Sequence, residues 1–163
     1  MVSKTQMKGL IASTLKGMGR KYASKDAVSL VWATGLVESN YQYIRQIRGP
    51  ARGFFQIEPR TSSSAVENYF RFRKKLSLRA ALVSNTPDSL WGSTDENRWD
   101  SVLESNITAG IVHCRIKYWR APEKMPNSLE GYAKYWKRYY NTIKGKGEVD
   151  GFMRKVEKYA DFL

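Results

Sequence analysis

The sequence predicts a single, mostly α-helical domain. Apolar residues recur at helical spacing through most of the chain, and the stretches that carry them are opened by capping residues and separated by Gly or Pro. The 163 residues, 42% of them hydrophobic and with five Trp and ten Tyr, are enough for one well-packed core. Two full domains would be cramped in that length, so residues 1–163 are expected to form one unit.

The first helix is expected behind Ser3, a capping residue, where Met7, Leu10, Ile11, Leu15 and Met18 form one apolar face up to Gly17 and Gly19. A second helix follows Ser24. Its Ala27, Val28, Leu30, Val31, Trp32 and Leu36 are apolar nearly all round, which predicts burial on several sides and an end near Glu38-Ser39-Asn40. Residues 41–59 hold Gly49-Pro50 and Gly53 without a helical period, and read as turns with a small hairpin. Helical patterns resume at about 61–75 and 77–84. A long amphipathic stretch then covers about 97–119, with Asn106 as a candidate break. Pro122 and Pro126 punctuate a loop, Ser128 opens a helix through Tyr140, and a last helix runs from about 148 to 162 after Gly145 and Gly147.

Composition narrows the function classes. Cys114 is the one cysteine and His113 the one histidine, so neither an intramolecular disulfide nor a Cys/His zinc site can form, and both read as fillers of a buried helix face. No stretch approaches the ~20 apolar residues of a membrane span. Residues 1–22 lack the apolar run of a secretory signal because Lys8 and Lys16 interrupt it. Lys and Arg outnumber Asp and Glu by 28 to 15, a formal charge of +13 that implies attraction to a polyanion such as nucleic acid, anionic lipid or a bacterial wall.

Glu38 stands out chemically. It is the only acidic residue between Asp26 and Glu58, and it ends an apolar helix where a cleft could open. Burial disfavours the charged form of a carboxyl group, and the negative end of the helix dipole acts in the same direction, so this position suits a proton donor. Glu38-Ser39 is followed by Gly53-Phe54-Phe55-Gln56-Ile57, with Pro59 and Thr61 beyond, then Asn106-Ile107-Thr108-Ala109-Gly110, then Tyr139-Tyr140-Asn141. In these four segments, their order and the 18 positions from residue 38 to residue 56, the chain resembles the lysozyme-like superfamily of soluble lytic transglycosylases and goose-type lysozymes. The Phe55–Pro59 and Trp136–Thr142 segments look especially like phage-encoded members. Two departures, Asn40-Tyr41-Gln42-Tyr43 after Ser39 and Thr142-Ile143 after Asn141, bear on the shape of the cleft.

The resemblance implies a lysozyme-like domain that cleaves the β-1,4 bond between N-acetylmuramic acid and N-acetylglucosamine in peptidoglycan, without metal or organic cofactor. Glu38 would be general acid and then base. Gln56 would bind the sugar, Tyr140 would orient the Glu38 carboxyl, and Ser39 and Asn141 would line the cleft; one of Phe54 and Phe55 at least would pack in the core. Glu58 has two readings, a second catalytic carboxylate that positions water or a surface residue pairing with Arg60. The product is correspondingly open between hydrolysis and a 1,6-anhydro sugar. The expected partners are peptidoglycan and the anionic cell envelope, with the chain a monomer made in a host cytoplasm and acting on the wall after release or from a virion. Lys134, Lys137, Arg138, Lys144, Lys146, Arg154, Lys155 and Lys158 are expected to concentrate it there without taking part in bond cleavage. The competing readings are a chitinase-like glycosidase, a nucleic-acid binder built on the basic and aromatic residues 134–140, and an idle wall-binding or virion structural module.

Overall fold

The computed structural model describes residues 2–142 and 145–163. In chain order they form α1 (Lys4–Met18), α2 (Lys25–Ser39), α3 (Pro59–Asn68), α4 (Lys74–Ser84), α5 (Glu96–Ser105), α6 (Ile107–Trp119), α7 (Leu129–Trp136) and α8 (Val149–Glu157). Short 3₁₀ turns lie at Arg20–Tyr22, Phe70–Phe72, Asp88–Gly92 and Ala160–Phe162, and a π-helical turn, Lys137–Asn141, prolongs α7. The protein is therefore mostly α, as its periodicity predicts.

Two helices are sunk in the core. Residues 109–116 of α6 are all buried, and α1, α2, α4 and α5 pack around it. α2 is buried from Ala27 through Val37 and lies against α1, α7 and α8. α1 lays Met7, Ile11, Leu15 and Met18 on this core. One apolar cluster runs through all of these elements. His113 and Cys114 are core residues of α6. The imidazole stacks on Trp91 with ring centres 5.0 Å apart, stands edge-on to Trp99 at 4.6 Å, and is held neutral by burial, its pKa lowered to about 3. Burial pushes the Cys114 thiol up.

Local chemistry explains where elements begin and end. The hydroxyls of Ser3, Ser24 and Ser128 accept backbone N–H groups of Gln6, Ala27 and Gly131, as N-caps do. The stretch 97–119 does break at Asn106, whose side chain accepts the Ala109 N–H to cap α6 and donates to the Ser84 carbonyl at 2.8 Å. The expected 61–75 helix ends earlier, at Asn68. There the chain turns to bury Phe70 between Trp91 and His113, and α4 starts at Lys74 instead of near residue 77. α7 gives way to the π turn at Lys137, and the last helix ends at Glu157, short of 162.

The expected hairpin after α2 is replaced by irregular loop. Among the described residues it holds two isolated antiparallel bridges, Arg45 with Arg52 and Arg52 with Ile57, and no strand. The backbone turns with positive φ at Arg48, Gly53 and Gln56, which interrupts every extended run. Among the described residues no helix is long and apolar enough to cross a membrane.

Candidate active site

Asn40 closes α2 in the left-handed conformation, and Tyr41 follows with positive φ. The Tyr41 ring then folds back over Gly35, where an added Cβ would meet it at 2.5 Å, and its hydroxyl donates to the Trp32 carbonyl at 2.7 Å. This reversal leaves Glu38 at the edge of a buried helix. In front of it opens a cleft of about 800 Å³, walled by the 43–58 loop, the start of α3, Lys117 of α6, the π turn and residues 145–147.

The Glu38 carboxyl is half-buried, and Oε1 accepts a hydrogen bond from the Trp136 indole N–H at 2.8 Å. Burial raises its pKa above the ordinary carboxylate value, while the Trp136 bond and the positive charges of Lys117 and Lys155 act in the opposite sense. Lys155 reaches it from α8, its ammonium donating to the Val37 carbonyl at 2.9 Å in the last turn of α2. The protonated form of Glu38 is thus favoured by burial, and its conjugate base has three groups ready to stabilise it. A proton donor that must afterwards carry a negative charge needs both properties.

Lys117 is a half-buried cation on the same wall. Its ammonium donates to the Tyr140 carbonyl at 2.9 Å and lies 4.2 Å from the centre of that ring. Burial lowers its pKa, and the Glu38 and Glu58 carboxylates are among the groups that oppose that, so Lys117 lies within electrostatic reach of both cleft carboxylates.

The four sequence segments converge at this place. Phe55 packs on Gly110, where an added Cβ would approach its ring to 3.1 Å, and the Phe55 carbonyl accepts the Tyr140 hydroxyl at 2.6 Å. Gly53 turns with φ +71°, and its α-carbon faces the Leu103 carbonyl so closely that a Cβ would stand 2.4 Å from the oxygen. Phe54 and Phe55 are both buried. Gln56 lines the cleft with its amide nitrogen donating to the Gly53 carbonyl at 2.8 Å, which leaves its Oε1 without a partner among the described residues. Asn141 also lines the cleft, its Oδ1 held by the Lys137 ammonium at 3.1 Å.

Other expected placements change. Ser39 does not reach the cleft wall: it is 2% exposed, its hydroxyl donates to the Gly35 carbonyl and accepts the Tyr41 N–H, and it shapes the turn after Glu38. Tyr140 does line the cleft, but its hydroxyl is committed to Phe55, so the side chain that holds the Glu38 carboxyl is Trp136, one helical turn earlier. Glu58 is exposed at the mouth of the cleft and forms no ion pair with Arg60 among the described residues.

The basic residues also divide differently. Lys134 and Arg138 pair with Glu130 and Glu123. Lys137 fastens the 145–147 loop through the Gly145 and Gly147 carbonyls, Lys146 lines the cleft, and Lys155 belongs to the surroundings of Glu38. Lys144 lies outside the described residues. Arg154 and Lys158 remain as exposed surface cations.

Sequence reasoning missed Trp136 and Lys117 as site residues, and gave Lys155 only a surface role. A signal existed for the first, since Trp136 and Tyr140 are four residues apart and share a helix face. Among the described residues no three His, Cys, Asp or Glu side chains gather as metal ligands. Compared with known proteins, the chain matches no family model, no curated protein and no solved structure.

Proposed function

We propose that this chain is a peptidoglycan-cleaving glycosidase of lysozyme-like type that breaks the β-1,4 bond between N-acetylmuramic acid and N-acetylglucosamine. The observation that carries the reading is Glu38: a carboxyl group with its pKa raised by burial, fixed by Trp136 at the end of a buried helix, facing a cleft large enough for a saccharide. Support comes also from the meeting of the Gly53–Ile57, Asn106–Gly110 and Tyr139–Asn141 segments beside that cleft.

In this mechanism the protonated Glu38 gives its proton to the glycosidic oxygen as the bond from that oxygen to the anomeric carbon breaks. The resulting carboxylate is stabilised by the Trp136 N–H and by the nearby Lys117 and Lys155. Glu38 then takes a proton from the hydroxyl that attacks the anomeric carbon. If that hydroxyl is water, the fragment has a reducing end; if it is the muramic 6-hydroxyl, the fragment ends in a 1,6-anhydro ring. Glu58 is the second carboxylate on the cleft and the candidate for holding water.

The test uses purified cell walls. Glu38→Gln keeps the size of the side chain but cannot supply a proton, so lytic activity should fall by about 100-fold or more. Near-normal activity of that variant refutes the reading. Glu58→Gln is read together with mass spectrometry of the fragments: a severe loss with reducing ends assigns Glu58 to water, whereas near-normal activity with anhydro ends assigns a single-acid route.

A further inference from the structure

Residues 69–86, which include the 3₁₀ turn Phe70–Phe72 and α4, take no part in the cleft in front of Glu38. Leu76, Ala80 and Ala81 turn one side of α4 to the core. The opposite arc follows from the helical period of about 100° per residue: Leu78 and Leu82, one turn apart, occupy its middle, with Lys74 on one side and Lys75 and Arg79 on the other. The two leucines are 42% and 79% exposed, and Phe72, just before the helix, is 73% exposed. Single open apolar side chains are ordinary on a protein surface, but three between residues 72 and 82 mark a contact face.

The charge on this segment is of one sign. Between Tyr69 and Thr86 stand Arg71, Arg73, Lys74, Lys75 and Arg79, and no Asp or Glu. Arg73 donates to the Tyr69 carbonyl at 3.2 Å, and Arg79 to the Met18 carbonyl at 3.1 Å. Arg71, Lys74 and Lys75 are exposed, and the nearest acids along the chain, Glu67 and Asp88, form no ion pair with them among the described residues. Lys74 and Lys75 also occupy the first turn of α4, at the positive end of its dipole, where cations oppose helix formation. Folding of the helix therefore gives no reason for them.

We propose that α4 and the turn before it form a docking face for an anionic lipid bilayer, on which the protein lies without crossing it. Open leucines between flanking cations suit the boundary between water and lipid, where apolar side chains enter the acyl region and cations meet anionic headgroups. A carbohydrate or nucleic-acid polyanion satisfies only half of this face: it engages the cations and leaves Phe72, Leu78 and Leu82 in water. The proposal does not rest on the glycosidase reading, since none of these residues lines the cleft.

The experiment measures co-sedimentation of the full chain with vesicles of phosphatidylglycerol and phosphatidylethanolamine, and with vesicles of phosphatidylcholine, whose headgroup has no net charge. Each Lys or Arg near an anionic surface contributes about fivefold, so the anionic vesicles should bind at least about tenfold more tightly. Lys74→Gln/Lys75→Gln should weaken that binding about 20-fold, whereas Arg154→Gln/Lys158→Gln, which removes the same charge at α8, should change it less than about threefold. Phe72→Ser/Leu82→Ser leaves the charge unaltered and, at two exposed positions, the fold intact, yet should weaken binding at least about tenfold. Insertion is read from Leu82→Trp, whose added emission should be quenched by lipids brominated in their acyl chains. Trp32, Trp91, Trp99 and Trp136 are buried and should escape that quenching.

Equal binding to the two kinds of vesicle, no binding to either, equal losses from the two charge-removing pairs, or an unquenched Leu82→Trp overturns the proposal. Unchanged affinity in Phe72→Ser/Leu82→Ser also overturns it and assigns the cations to a polyanion such as a wall polymer. A dimer formed without lipid and abolished by that double variant assigns the apolar patch to a second copy of the chain, and overturns it likewise. Glu38→Gln should bind vesicles as wild type does. Failure of the glycosidase reading therefore leaves the docking face in place, and loss of vesicle binding leaves catalysis by Glu38 in place.

Discussion

Replacing Trp136 by Phe tests how the acid is tuned. The change keeps an aromatic ring against Phe152, whose centre lies 5.2 Å away, but removes the indole N–H that Glu38 Oε1 accepts at 2.8 Å. A hydrogen bond to a charged group contributes about 1.5–3 kcal/mol, against about 0.5–1.5 for a neutral one, so the bond favours the carboxylate over the acid by roughly 1–1.5 kcal/mol. The carboxylate forms as the proton leaves, so its stabilisation is felt in the transition state and its loss should slow kcat roughly five- to tenfold. The Glu38 pKa should rise, since a group that favours the charged form is gone. A general acid is active while protonated, so the alkaline limb of the pH–rate profile should move to higher pH. Titration of the Glu38 carboxyl carbon by NMR reads the same shift without turnover. In a Glu38→Gln background the Trp136→Phe change should have almost no further effect on activity. Trp136 is 2% exposed, and the lost ring volume will cost stability, so a thermal melt must establish that the variant is folded at the assay temperature. A limb that stays in place or moves to lower pH refutes the assignment of Trp136 as the group that positions and tunes Glu38.

Glu38 also makes a prediction about stability. Its folded pKa is raised, so its favourable contribution is complete below the unfolded carboxylate value near 4.5 and is lost as pH rises through the folded pKa. The melting temperature of wild type relative to Glu38→Gln should therefore decline from acid toward neutral pH; a rise over that range contradicts the direction of the shift. Gly53→Ala places a Cβ in the left-handed region and against the Leu103 carbonyl, and should destabilise by about 3 kcal/mol or more in denaturant unfolding, with a change below about 1 kcal/mol refuting the close approach. Activity on whole walls should fall with added salt as the Debye length shrinks to about 10 Å at 0.1 M, while cleavage of a short uncharged oligosaccharide should hold. Arg154→Gln/Lys158→Gln should reproduce part of that loss on walls only, and an equal loss on the oligosaccharide counts against a purely surface role.

The fold was legible wherever one face of an element decides its state. The capping serines, the all-round apolar run of α2 and the break at Asn106 are local signals, and each matches the structure. The 61–84 region was misread because its outcome depends on a distant contact: Phe70 leaves the helical path to reach Trp91 and His113, which no pattern within that segment encodes. The turns expected after α2 are present, and only the hairpin was misread, for a different reason. Gly49-Pro50 and Gly53 mark turns there, but positive φ at Arg48 and Gln56, neither of them Gly, breaks the extended runs that a hairpin needs.

The candidate site divides in a similar way. An acid that ends an apolar helix is visible in one segment, because burial of that helix is itself a local pattern. The groups that oppose burial arrive from far along the chain: Trp136 is 98 positions away, and Lys155 bonds to Val37 across 118. Sequence therefore revealed the force that raises the pKa of Glu38 and not the groups that limit it. The distinction matters chemically. An acid with burial alone would hold its proton too firmly to give it up, and one with the three stabilising groups alone would already be ionised before the substrate arrived. Trp136 supplies a fixed hydrogen bond, whereas Lys117 and Lys155 act through their charge. Trp136→Phe and removal of the Lys155 charge should for that reason move the Glu38 titration in the same direction, with only the second effect weakening as salt is added.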